Sequence, residues 1–404
     1  MPEDLPPEAA GDDFDPTVPE TFDSPHAEYR RLRDTCPLAH STAHGGFWAL
    51  TRYDDIVDAV TDPELFITSK INVIPNMSLG ERRPPLGKDP PEHTPYRRAL
   101  DRTLRASRVR QMEPVLREHA GRELDRMIAA GSGDMSSDFA TIFPAWVAVE
   151  WLNLEPLHAY KLAEVARLYN VAWRTQNTDQ VAKTSGELYD IARELAEDRR
   201  DHPRPPELDP ASALLAEETP FGKIPFDYVV ATLRQSLVVG LMAPPPLFGS
   251  MCVHLIRDQA LQEELRSHTD LIPVAIEELL RLYSPYRGFA RTTTRDVDMH
   301  GRTIPKGEPV TMVYASANRD DRVFDDPDTF RLNRTNIQAH LAFGRGPHQC
   351  AGSGLVRLEL RIFLEELLAR TQSFGLDGEL EMTRLPELGP TSTPMVFVGR
   401  ESAV

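Results

Sequence analysis

The chain has 404 residues, 41% hydrophobic and 26% charged, with 45 Lys and Arg against 62 Asp and Glu for a formal charge of −17. A chain of that length buries about three quarters of its unfolded surface. Its composition is too apolar for wholesale disorder, and its charge lacks the basic footprint of a non-specific nucleic-acid binder.

Residues 1–20 are rich in proline and acid, lack the apolar stretch of a signal peptide, and are predicted to be a flexible N-terminal segment. Residues 21–404 are expected to form a single domain. Phe47–Leu50 reads as a short strand after Gly45 and Gly46, and 53–60 as a short helix with Ile56, Val57 and Val60 apolar. Residues 67–92 hold five prolines and no period, which predicts a long irregular loop of the kind that usually serves function. Thr94 and Pro95 have the form of an N-cap followed by proline at the first helical position. From there to about residue 200 the pattern is helical, with apolar residues at three- and four-residue steps over 157–173 and 180–200. A proline-rich break at 201–210 precedes a long helical pattern over 227–257. Residues 271–283 give another helix with Pro273 near its start. Short strands follow over 289–313 about a turn at Pro305-Lys306-Gly307, then irregular chain over 315–349 and a last helix over 352–370. No run reaches the ~18 consecutive apolar residues of a membrane span. Cys36, Cys252 and Cys350 are too few and too far apart for a disulfide framework or a zinc site, so a reducing, cytoplasmic setting is expected. The expected fold is mainly α with a minor β part, with neither membrane nor nucleic acid as partner.

The sharpest chemical signal is Phe343-Gly344-Arg345-Gly346-Pro347-His348-Gln349-Cys350-Ala351-Gly352. Glycines let this backbone turn tightly and approach a bulky partner. A helix N-terminus just beyond Cys350 favours negative charge, so a thiolate is expected there, and a thiolate is a good soft ligand for iron. The stretch resembles the haem-binding loop of the cytochrome P-450 family, F-x-x-G-x-x-x-C-x-G, at every fixed position. Glu278 and Arg281 resemble the family's E-x-x-R pair, which shares one helix face. Asn318-Arg319-Asp320 and the run from Phe324 to Phe330 resemble the meander whose arginine completes an ion-pair network around the cysteine, with Arg319 and Arg331 as the candidates. The resemblance runs from Phe47 to about Arg370. It implies the single-domain cytochrome P-450 fold, a haem b cofactor, and Cys350 as the iron ligand. It further implies haem propionate contacts at His93, Arg97, Arg291 and His348.

The departure from the family lies in the long helix. Where A-G-x-[DE]-T-[TS] usually supplies an acid and an alcohol that deliver protons, this chain has Val239-Gly240-Leu241-Met242-Ala243-Pro244-Pro245-Pro246. Gly240 is kept, Met242 stands at the acid, Ala243 at the threonine, and Pro244 follows, so these positions carry no side-chain proton donor. The prolines remove N–H groups and clash with carbonyls four residues earlier. The helix is therefore expected to kink or unwind at Gly240, Leu241 and Met242, with freed carbonyls that could hold water or substrate. The distal pocket is expected to be lined by 67–88, 237–246, 285–290 and the turn at Thr393-Pro394-Met395. Arg97, Arg98, Arg102, Arg105, Arg108 and Arg110 form a basic segment for docking an acidic ferredoxin or flavodoxin-type electron donor.

Together these readings imply a haem-thiolate monooxygenase that oxidises a small organic molecule, a tailoring step in specialised metabolism or antibiotic biosynthesis, with protons from water or substrate. Two alternatives stand beside it. One is a haem-thiolate enzyme of non-standard reaction: peroxide-driven, radical coupling or rearrangement. The other is a non-catalytic partner protein, against which the retained Cys350 argues.

Overall fold

A computed structural model describes residues 12–76, 83–220 and 222–400. The body is helical, and the helices form where the apolar period is clearest. Thr178–Asp201 buries Val181, Ser185, Leu188, Ala192 and Leu195, a stripe at three- and four-residue steps, and leaves its charged residues outward except Arg199, which is buried against Asp209. Asn177 caps it by accepting the Gln180 N–H at 3.0 Å. With His158–Arg174 it makes a helical hairpin that lies over Phe226–Met242. The long Ala106–Ala130 helix packs against Ser353–Arg370, which in turn meets Ile272–Leu282.

Phe226–Met242 and the following Pro244–Arg257 are buried on nearly every side. Together they are long and apolar enough to cross a membrane, but 83% of the relevant window is buried inside this protein, as in the central helix of a packed core. The proline run interrupts the helix at Ala243 alone, whose backbone stays in the right-handed region (φ −73°, ψ −34°). Unwinding across residues 240–242, expected from the sequence, does not occur. Pro244, Pro245 and Pro246 occupy the first turn of a new helix, where N–H groups need no helical acceptor and a φ near −65° is already correct. The same prolines give no donor to the carbonyls of Gly240, Leu241 and Met242.

The minor β part lies in a five-stranded sheet of order Leu38–Ser41, Phe47–Leu50, Pro309–Met312, Phe289–Thr293, Phe66–Ile67. Only the pairing of Pro309–Met312 with Phe47–Leu50 is parallel; it sets Val310 against Trp48, while Val310 opposes Arg291 on the other side. A second sheet joins Thr371–Leu376, Pro394–Gly399 and Ser132–Asp134.

Two local expectations change. The helix expected from Thr94 begins at His93, so Pro95 takes its third position; the whole first turn tolerates proline because its N–H groups are unpaired there. The described part of the N-terminal segment is pinned rather than frayed. Asp13 accepts the His40 N–H at 2.8 Å and pairs with Arg302, and Asp12 accepts the Thr42 hydroxyl at 2.8 Å. Residues 1–11 lie outside the described residues.

Candidate active site

The cysteine loop is built by backbone geometry. Gly344 and Gly346 have φ of +65° and +73°, the left-handed region that glycine enters without strain. A Cβ at Gly346 would stand 2.3 Å from the Val60 carbonyl, so only glycine lets the loop touch the Tyr53–Thr61 helix. The loop closes through the Cys350 N–H, which donates to the Phe343 carbonyl at 2.8 Å. The accessible surface of Cys350 belongs to an internal recess, since dense protein surrounds the thiol. Burial pushes this thiol up, and the Gly352 N–H and the fields of Arg97 and Arg357 offset that only in part. The helix starts at Ser353, and a Cβ on its N-cap Gly352 would stand 4.0 Å from the Cys350 Sγ.

Behind the loop lies a buried ion-pair network. Arg281 donates to both oxygens of Glu278, at 2.7 and 2.8 Å, and both side chains are fully buried. The third member is Arg334, whose Nε lies 3.0 Å from Glu278 Oε1 and whose Nη1 donates to the Asp325 carbonyl at 2.7 Å. This corrects the sequence-based choice. Arg319 pairs with Asp328 and the Leu282 carbonyl, and the Arg331 side chain turns to Asp326, leaving only its backbone N–H on Glu278. A second brace escaped the sequence reading. Glu277, next to Glu278, binds Arg357 at 2.7 and 2.8 Å and His340 at 3.1 Å. Arg357 also stacks its guanidinium 4.5 Å from the Phe343 ring centroid. Burial alone would raise the Glu277 carboxyl, but Arg357 and His340 hold it down to about 2.

His93, Arg97, Arg291 and His348 come together as the sequence predicts. The His93 and His348 rings meet edge-on at 4.5 Å. Burial and then Arg97 push His93 down to about 4; burial, Arg291 and His93 push His348 down to about 3. Arg291 is buried, donates to its neighbour's carbonyl at Ala290, and has no carboxylate partner among the described residues. Asp89, 3.9 Å from His348, is already bound by the Thr68 and Ser69 N–H groups. With both imidazoles neutral, the charges here are Arg97 and Arg291 against Asp89 and Asp101; Arg97 already holds Asp101, and Arg291 is the guanidinium that an added carboxylate would balance. Arg97 also grips the cysteine loop, since it pairs with Asp101 at 2.7 Å and donates to the Pro347 and Gln349 carbonyls.

In the broken helix, Val239 is 48% exposed and Gly240 is exposed beside it, between the buried Val238 and Leu241, and a Cβ at Gly240 would meet nothing within 4 Å. This stretch therefore fronts open space inside the protein. A soft sulfur ligand, with two arginines and two neutral imidazoles to hold carboxylates, fits haem b in chemistry. Met242 lines a cavity of about 100 Å³ together with Asn72, Leu86, Tyr286 and Phe289; a single water needs only about 10–15 Å³. The loop and the 285–290 segment line it as expected. Thr393 does not: it is fully buried, bound to Asp134 and Ser136, and Pro386 contributes instead. Tyr169, Trp173, Val181, Ser185 and Arg234, from the overlying hairpin and the helix itself, were missed. The carbonyl of Leu241 is taken by the Asn170 side-chain amide at 3.5 Å, so it is not free for substrate.

The basic segment is less free than its sequence implies. Arg98 and Arg102 both pair with the buried Glu217, and Arg108 turns to Glu150 and Asn153. Arg105 and Arg110 remain exposed. Arg97, Arg98, Arg102 and Arg105 line one shallow surface concavity with Pro347 of the cysteine loop.

The family model described as Cytochrome P450 matches residues 253–379. Linalool 8-monooxygenase of Pseudomonas putida is 30% identical over 87% of this chain and 90% of its own length. The solved structure of cytochrome P450 CYP109Q5 from Chondromyces apiculatus superposes with a TM-score of 0.86 at 27% identity, covering 96% of this chain and 99% of that one. The bacillaene polyketide synthase cytochrome P450 PksS of Bacillus subtilis 168 gives a TM-score of 0.85 at 25% identity, with 95% and 100% covered.

Proposed function

The chain belongs to the cytochrome P450 family of haem b enzymes, and from that premise we propose that it is a cytoplasmic monooxygenase in which Cys350 would hold the haem iron, with a tailoring role in specialised metabolism. The observation that carries the reading is the gathering of His93, Arg97, Arg291 and His348 beside the loop that presents Cys350. The metabolic role rests on similarity to relatives such as PksS.

Haem b held by a thiolate supplies the one-electron and dioxygen chemistry needed to oxidise carbon. The chain's own residues do the rest. Arg97, Arg291, His93 and His348 would hold and orient the propionates. Met242, Phe289 and Tyr286 keep bulk water from the substrate. Met242, Ala243 and Pro244 hold no proton donor, and Asn170 keeps the Leu241 carbonyl, so protons enter from ordered water or from a hydroxyl or amine of the substrate. Arg105 and its neighbours offer the face on which an acidic ferredoxin or flavodoxin-type donor docks.

Replacing Cys350 with Ser tests the ligand. A serine oxygen is a poor soft donor, so the reduced, carbon-monoxide-bound variant should lose the thiolate-type Soret position. A variant that keeps it would place the ligand elsewhere. The donor-free segment also favours a second reading, turnover driven by peroxide or by a radical route. Faster product formation from peroxide alone than from dioxygen with a ferredoxin system would establish that reading over the first.

A further inference from the structure

Between Asp227 and Met242, Arg234 is the single charged residue, in a helix otherwise devoted to the core. It is 1% exposed. Its Nη2 donates to Ser185 Oγ at 2.7 Å, and its guanidinium carbon lies 5.3 Å from the Tyr169 ring and 5.6 Å from the Tyr189 ring. Its Nε–H has no acceptor. Among the described residues no carboxylate pairs with it, and a second cation, Arg83, acts on it instead. A guanidinium cannot shed its proton to escape burial. A buried charge without a counter-ion is among the costliest arrangements in a protein.

Arg83 approaches from the loop. Its Nε donates to the Tyr189 hydroxyl at 2.8 Å, and its guanidinium carbon lies 5.5 Å from that same ring. Both arginines line the cavity that Met242 lines. Apart from them the wall is mainly aromatic and aliphatic, with Trp173, Val181, Val238 and Phe289.

We propose that the substrate is a carboxylic acid whose anion is bound by Arg234 and Arg83, with its apolar body running along the cavity toward Met242. An anion there converts the repulsion between two cations into charge-assisted hydrogen bonds, for which the arginine fork is suited. Eight helical positions separate Arg234 from Met242, about 12 Å at 1.5 Å per residue, the reach of a chain of about ten carbons or a comparable ring system. The proposal names the substrate class for the oxidation inferred above and rests on that reading.

Decanoate and methyl decanoate are the probes, titrated into the haem-loaded enzyme by calorimetry and by the shift of the Soret band. The wild type should bind the acid about tenfold tighter than the ester, a difference of about 1.4 kcal/mol. Arg234→Gln and Arg83→Gln should each weaken the acid by about tenfold and leave the ester within about twofold. Arg234→Lys should keep part of the acid preference. Arg83, on a half-buried loop, carries the test if Arg234→Gln does not fold. Equal affinity for acid and ester, no binding of the acid, or equal losses for both probes overturns the proposal. The reduced carbon-monoxide spectrum of the same samples reports on the other reading. A wild type without the thiolate band refutes haem-thiolate function, whereas an intact band without acid preference refutes only the carboxylate site.

Discussion

Around the cysteine loop most charges have a counterpart, Arg291 excepted: Glu278 with Arg281 and Arg334, Glu277 with Arg357 and His340, Arg97 with Asp101 and two loop carbonyls. Around the broken helix the pairing is incomplete, with the Nε of Arg234 and the Oδ1 of Asn170 both buried and unpartnered. The first region is over-determined, as the support of a reactive ligand must be. The second holds polar groups in reserve, which makes sense only where another molecule completes them.

Substitutions should separate the two regions by size of effect. Arg334→Leu strands a fully buried Glu278 beside a single arginine and should cost about 3–5 kcal/mol in chemical denaturation, with haem lost earlier in the melt. A loss below about 1 kcal/mol would mean that the network is not structural.

Glu277→Gln should cost about 1.5–3 kcal/mol near neutrality, the worth of hydrogen bonds to charged groups. Its pH dependence is the sharper readout. The folded carboxyl titrates at about 2, below its ordinary 4.5, so the unfolded chain binds the proton more readily. The stabilisation is complete above about 4.5 and disappears as pH falls through about 2. Denaturation between those limits should therefore depend less on pH in Glu277→Gln than in the wild type.

On the open side, Asn170→Ala removes the donor on the Leu241 carbonyl. It should cost only about 1 kcal/mol, because the 3.5 Å bond is long. Smallest in stability is Arg105→Glu, within about 0.5 kcal/mol. It should still slow electron transfer from an acidic ferredoxin and flatten its salt dependence. An unchanged rate moves the docking face away from the Arg97–Arg105 concavity.

The two regions also differed in how far the sequence disclosed them. The helices near 158, 178 and 272 were legible because their apolar residues repeat at the helical period, and the strand Phe47–Leu50 because a short apolar run follows two glycines. The cysteine loop and Glu278-Arg281 were legible as local patterns. Arg334 was not, because Arg319, Arg331 and Arg334 all lie in chain without a period, and only the fold brings one of them against Glu278. Glu277 gave no signal beside its neighbour, since two adjacent acids on a helix look like a solvated face. The break at Ala243 was visible in the prolines, but its extent was overestimated, because three prolines that wreck a helix interior suit a helix start. Arg234 did offer a clue: a lone cation within an apolar helical run is either solvated at an edge or held for a ligand.

The grip of Arg97 on the cysteine loop has a kinetic side. Arg97 and the Pro347 carbonyl it holds are 250 positions apart in the chain, and closing a loop of that size costs about 5 kcal/mol by the logarithmic law. Such distant contacts form late, after the intervening helices have shortened the path between them. The loop that presents Cys350 is thus finished only when the helix bearing Arg97 has docked on it, so the completed ligand pocket reports that the 250 positions between them have folded.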